Sequence, residues 1–253
     1  MSASKKIPIG IQLYCIRKEC EKDLPGSLKA VADMGYDGVE FAGYYGREAS
    51  ELQKMLDDLG LKVAGTHLKK DQLVGDGLKE TVEFNKVLGN RNLVIAHLSD
   101  DHFETPEGCA EVGRMFGQIA RKVEPEGMRT GYHNHTTEFV AKGDSTIWDL
   151  IADNSPESVI MQFDVGNAMH GGAQPMPFLR RHPGRTTSLH VKDYSSTDRK
   201  VIVGEGEAPW KEIFDFCQTQ GGTEWYVVEQ ETHAYPPLEC AKRCIDNLRA
   251  MGL

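Results

Sequence analysis

Eight short apolar runs alternate with eight amphipathic runs along the whole chain, and this alternation restricts the fold more than any single motif. The candidate strands are IGIQLY (9–14), DGVEFAG (37–43), KVAGTHL (62–68), NLVIAHL (92–98), RTGYHNH (129–135), VIMQFDVG (159–166), TSLHVKDY (187–194) and EWYVVEQE (224–231). Each is short and rich in β-branched or aromatic residues, as buried strands are. The segments between them carry apolar residues at helical spacing, from PGSLKAVADMG after the first strand to PLECAKRCIDNLRAMG at the end. Gly35, Gly60, Gly89 and Gly221 close four of these segments, where left-handed C-caps are expected. Ser145, after Asp144, is placed to cap a helix over 145–155.

Strict strand–helix alternation requires parallel pairing through right-handed crossovers. Eight such units in 253 residues is the arithmetic of a closed (β/α)8 barrel, a TIM barrel, in one domain spanning 1–253. The rival is an open doubly wound sheet, which carries G-x-G-x-x-G after its first strand; here IGIQLY runs into CIRKEC. The glycines of GEGEAP (204–209) lie before the seventh helix, in the wrong place for that fingerprint.

Composition excludes several classes. A net charge of −9 opposes a nucleic-acid partner, which needs a basic face. Apolar runs such as LVIA (93–96) are too short to cross a bilayer, so no membrane partner is expected. MSASKKIPIG lacks the apolar stretch of a signal peptide. The six cysteines (15, 20, 109, 217, 240, 244) form no C-x-x-C pair and read as reduced, buried thiols of a cytoplasmic protein.

The active site of a barrel lies at the C-terminal ends of its strands. Every predicted strand carries a polar group at that end: Gln12, Glu40, His67, His97, His133 with His135, Asp164, His190 with Lys192, and Glu229 with Glu231. Side chains alternate along a strand, so each of these i, i+2 pairs shares a face. Barrel interiors are filled mainly by branched apolar side chains, against which two histidines on one face stand out. Carboxylates converging at one mouth would repel one another unless a cation neutralised them. Two or three carboxylates with an imidazole form a mixed oxygen–nitrogen set suited to one divalent ion: Mn²⁺, Mg²⁺, Co²⁺ or Zn²⁺.

The motifs GIQLYCIR, GYDGVEF, GYHNHTTEF, FDVGNAMHGG, SLHVKDY, VGEGE and WYVVEQE together resemble the xylose-isomerase-like TIM barrels known as sugar phosphate isomerases/epimerases, over nearly the whole chain. The resemblance implies a metal held by Asp164, His190 and Glu229, with a strand-five ligand assigned to Glu138 and His133 or His135 as alternatives. It implies proton transfer by His133 or His135, with Glu229 and Lys192 as further catalytic groups. Lys192 has a bland alternative in an ion pair with Asp193 or a nearby acid. Asn167, His170, His67, His97, Tyr14 and Glu231 are expected to contact substrate, and Glu40 to serve as a hydrogen-bonding support. The activity implied is isomerisation or epimerisation of a sugar, keto-sugar or sugar phosphate through a metal-stabilised enediolate. Many relatives carry a Glu where this chain has His133. The YHNHxxEF variant resembles a branch of lyases and dehydratases on keto-sugars and cyclitols, some of which work with a partner subunit. An apurinic-endonuclease-like activity is disfavoured by the charge. The resemblance also implies a homo-oligomer.

Overall fold

The computed structural model describes residues 6–253. Eight parallel strands close into a barrel in the order β1-β8-β7-β6-β5-β4-β3-β2. They are β1 (Ile9–Gln12), β2 (Gly38–Ala42), β3 (Lys62–Leu68), β4 (Asn92–Ile95), β5 (Arg129–His133), β6 (Ile160–Asp164), β7 (Ser188–Val191) and β8 (Trp225–Val228). The helices that return the chain are α1 (Leu24–Asp33), α2 (Ala49–Leu59), α3 (Gly77–Leu88), α4 (Pro106–Val123), α5 (Ile147–Asp153), α6 (Pro175–Arg181), α7 (Trp210–Thr219) and α8 (Pro237–Ala250). Shorter helical turns follow several strands, among them Arg17–Lys22, Lys70–Leu73 and Val165–His170. No helix among the described residues is long and apolar enough to cross a membrane.

Gly60 and Gly89 end α2 and α3 in the left-handed conformation, as expected. Gly35 also has positive φ, one residue past the cap of α1. At α7 the left-handed residue is Gly222 and not Gly221. The cap of α5 is Thr146, whose hydroxyl accepts from the Asp149 N–H. Ser145 instead pairs with Lys142 in a two-residue hairpin that precedes the helix. All six cysteines are buried and free.

The main apolar core lies between the barrel and its helices, where Ile9, Ile11, Phe41, Tyr132, Phe163 and Leu189 are buried. The barrel interior departs from the expected branched apolar filling. Ala64, Trp225 and Val227 form a small separate cluster near the N-terminal end. Above it sit Gln12, Glu40, Gln162 and Ser188, all buried and polar. Glycines make this possible. A Cβ on Gly38 would meet Lys62 O at 2.3 Å, and one on Gly65 would meet Glu40 Oε1 at 2.8 Å. The β2–β3 register shifts between Val39 and Glu40, an irregularity of the kind that re-aims a side chain.

Gly131 shows how little slack the wall has. A Cβ there would lie 2.4 Å from Ile160 O and 2.5 Å from Ile160 Cβ, on the strand it pairs with. Gly131→Ala is expected to lower stability by about 1–3 kcal/mol, the scale of overpacking in a core. An unchanged urea midpoint would contradict this.

Candidate active site

Glu40 organises the floor of the site. Its carboxylate is fully buried and accepts from Gln12 Nε2 at 2.8 Å, Gln162 Nε2 at 2.7 Å and His190 Nε2 at 2.6 Å, with His67 Nε2 at 3.1 Å. Burial alone would push this carboxyl up, yet His67 and His190 hold it well below the usual range. The expected supporting role of Glu40 is therefore what its contacts describe. Because His190 gives Nε2 to Glu40, its Nδ1 is turned to Glu229 and lies 3.9 Å from Asp164 Oδ2. Burial depresses this imidazole, but Glu40 and Glu229 on its two sides raise its pKa to about 10.

Four side chains from β5, β6, β7 and the end of β8 meet above this floor. One nitrogen or oxygen each from His133, Asp164, His190 and Glu229 lie within 4.8 Å of one another, and all four residues are buried. Asp164 Oδ1 accepts from the Asn167 N–H at 2.6 Å, capping the helical turn after β6 and leaving Oδ2 to face the group. Burial, with Glu229 nearby, raises the Asp164 carboxyl to about 7 despite Lys192 and His190. Burial and the adjacent His190 hold the His133 imidazole well below its ordinary value. Asp164 Oδ2 and His133 Nδ1 are buried with no hydrogen-bond partner. Buried polar atoms without partners are rare, and a divalent cation would satisfy both. Two carboxylates and two imidazoles are also an apt donor set for such an ion. The Glu40–His190 contact is the outer-sphere arrangement that orients a ligating histidine.

Glu138 does not join this group. Its carboxylate accepts from the Tyr132 hydroxyl at 2.7 Å and the His135 N–H at 2.9 Å. Tyr132 alternates with His133 and points out of the barrel toward the helices. The turn Thr137–Phe139 carries Glu138 to that outer side. The strand-five position in the cluster is occupied by His133.

A cavity of about 610 Å³ opens over the cluster. His67, His97, His133 and His135 line it from strands three to five, Glu229 and Glu231 line it from strand eight, and Tyr14 lies at its rim. The His135 ring stands 5.1 Å from His133 and 5.7 Å from His97. Its Nδ1 is buried and unpartnered, and burial lowers its pKa despite Glu138 and Glu229. Asn167, His170 and Lys192 are not among the lining residues. His170 packs its ring 4.8 Å from that of Tyr194. Lys192 donates to Asn167 Oδ1 at 2.9 Å and to Glu231, and lies 4.0 Å from Glu229. The ion pair expected with Asp193 or a nearby acid is made with Glu231, and not with Asp193. That carboxylate instead gathers the glycine segment 204–210, accepting from Gly204 N–H at 2.7 Å and Trp210 Nε1 at 2.8 Å.

Sequence reasoning passed over Gln162, Asn134 and Tyr44. Gln162 accepts from His67 Nε2 at 2.7 Å while donating to Glu40 and Ser188. Its i, i+2 relation to Asp164 was the available signal. The Asn134 side chain extends the β5–β6 pairing, accepting from Asp164 N–H at 2.8 Å and donating to Asp164 O at 3.1 Å. Tyr44 lines the cavity and stacks on Phe84 at 4.1 Å; only the glycines around it marked that loop.

A closed (β/α)8 barrel with carboxylates and imidazoles collected at its C-terminal mouth defines a TIM barrel with a candidate metal centre. The chain belongs to the xylose isomerase-like TIM barrel family, whose profile matches residues 28–251. It is 24% identical to the rhizopine catabolism protein MocC of Rhizobium meliloti, over 89% of this chain and 80% of that protein. It is also 24% identical to the inosose dehydratase of Lacticaseibacillus casei, with 78% of each covered. Among solved structures, a sugar phosphate isomerase/epimerase from Parabacteroides distasonis superposes with a TM-score of 0.86 at 24% identity, over 99% of this chain and 96% of that one.

Proposed function

We propose that the chain is a divalent-metal-dependent enzyme that removes a proton from carbon beside the carbonyl of a polyhydroxylated ketone, a keto-sugar or keto-cyclitol, and expels water from the neighbouring carbon. The observation that carries this reading is the pairing of unlike groups across the cavity. Imidazoles stand on strands three to five and carboxylates on strand eight, with His133 in the strand-five place of the cluster. Epimerisation at one carbon works most evenly with like acid–base groups on both faces. Unlike groups suit elimination, where one takes a proton and the other returns one to a leaving hydroxyl. The names of the curated relatives point the same way.

His133, Asp164, His190 and Glu229 would hold the cation, which supplies positive charge against the negative charge that builds on a substrate oxygen as the proton leaves. Burial keeps His135 neutral near pH 7 with a free ring nitrogen, the state a proton acceptor needs. Glu231, ion-paired with the protonated Lys192, faces it from the other wall, and a proton drawn from Lys192 through the Glu231 carboxylate can reach the departing oxygen. Charges on Asp164, Glu229 and Glu231 outweigh burial and keep Lys192 protonated.

The purified protein, loaded in turn with Mn²⁺, Co²⁺, Mg²⁺ and Zn²⁺, should be screened against keto-cyclitols and keto-sugars in deuterated water. Loss of one water from the substrate supports the reading. A product that keeps all its oxygens and gains deuterium at carbon would make the enzyme an isomerase or epimerase instead. His135→Gln is expected to keep the cation while turnover falls roughly 10²–10⁴-fold, the scale of general acid–base catalysis. Full activity in that variant would remove His135 from the mechanism.

A further inference from the structure

The two acids that face the cavity from strand eight lie beyond the last ladder residue of β8, which ends at Val228. One ladder-like bond remains, from the Glu229 N–H to Val191 O at 3.1 Å. Between the acids stands Gln230, which is 4% exposed. It points the other way, into the layer between β8 and α8. Four atoms elsewhere hold it. Its N–H donates to Cys15 Sγ at 2.9 Å, and its Nε2 donates to Val201 O at 3.1 Å and Thr232 O at 2.7 Å. Its Oε1 accepts from Cys244 Sγ at 3.8 Å. These partners come from the turn after β1, the segment before α7, the loop after β8 and helix α8.

We infer that Gln230 is a positioning residue that sets the direction of Glu229 and Glu231. Successive side chains of an extended segment point to opposite faces, so pinning the middle one outward turns both neighbours inward. Within the barrel, strand pairing enforces this alternation. Past Val228 the anchored amide replaces it. An amide buried with all its polar atoms engaged is costly to move, which makes the anchor stiff. The inference deepens the reading of Glu229 as part of a cation centre and rests on it for its functional meaning.

Gln230→Met keeps the length of the side chain and removes the amide. Two measurements read the result. The first is Mn²⁺ affinity by titration of wild type, Gln230→Met, Glu229→Gln and the double variant. Affinity should fall about 10–100-fold in Gln230→Met, the scale of losing a residue that orients a ligand. The double variant should bind no more weakly than Glu229→Gln alone, because the effect passes through Glu229. The second is the proton resonance of the His190–Glu229 hydrogen bond in metal-free protein, which should shift or vanish in Gln230→Met. A lower melting temperature with unchanged affinity and unchanged resonance would make Gln230 merely structural. An additional loss in the double variant would equally overturn the inference. If wild type binds no Mn²⁺ while the resonance still moves, the cation centre falls and the positioning role stands. Should Gln230→Met fail to fold, Cys15→Ala removes the acceptor of the Gln230 N–H, with the weak donation of the same Sγ to Val228 O at 3.8 Å, and is read in the same two ways.

Discussion

Asp164→Asn should abolish turnover, by roughly 10³-fold or more, and strip the cation, while the barrel stays folded. The amide keeps an oxygen where Oδ1 now caps the Asn167 N–H at 2.6 Å, so the turn after β6 survives. What disappears is the charge on Oδ2, which has no hydrogen-bond partner in the protein. Burial raises the Asp164 carboxyl from its ordinary 3.8 to about 7. The folded state thus binds this proton more tightly than the unfolded state does. The resulting stabilisation of the metal-free protein is fully present below about pH 4 and is lost as pH climbs through 7. Asparagine carries no such pH-dependent loss. Metal-free Asp164→Asn should therefore exceed metal-free wild type in unfolding free energy above pH 7, by an amount on the order of a few kcal/mol, and melt at a higher temperature. A variant that unfolds where the wild-type apoprotein is folded would mark Asp164 as a structural residue.

His133→Gln and Glu138→Gln should separate cleanly. Removing the His133 imidazole takes one donor from the four that converge within 4.8 Å. Cation affinity should fall by more than the ~10–100-fold typical of an outer-shell change, and turnover should fall with it. Glu138 instead receives the Tyr132 hydroxyl and the His135 N–H, so Glu138→Gln should leave cation content intact. It should lower stability by about 1–3 kcal/mol, since a buried charge-assisted pair is weakened. Elemental analysis of both variants decides the matter. Metal lost from Glu138→Gln and kept by His133→Gln would reverse the assignment.

Much of this molecule is legible before folding. The limits of β3 match KVAGTHL at both ends, because its period-2 pattern is bounded by Gly60 and a lysine pair. Other strands stop short of the predicted ends. β5 ends at His133 rather than His135, and β8 at Val228 rather than Glu231. The polar residues there are the ones that leave the ladder to form the site. Asp164, His190 and Glu229 fall among the polar residues expected at one mouth because each sits near a strand end, where parallel pairing brings neighbours to one level; it was the family resemblance that singled the three out. The turn after β5 could not be foreseen in the same way. Its direction depends on the Tyr132 hydroxyl and the His135 N–H, which capture Glu138 only once the chain has bent back on itself. The support given by Gln162 and Gln230 was equally hidden, as their partners are up to 215 residues away.

By itself the sequence determined the closed barrel and the mouth at which acids and imidazoles collect, because periodicity and alternation are properties of neighbouring residues. Only the tertiary structure decided that His133, and not Glu138, stands with Asp164, His190 and Glu229, and that Glu40 lies beneath them. Those placements depend on where turns point and on which buried polar atoms find partners across the barrel, and no local pattern encodes either.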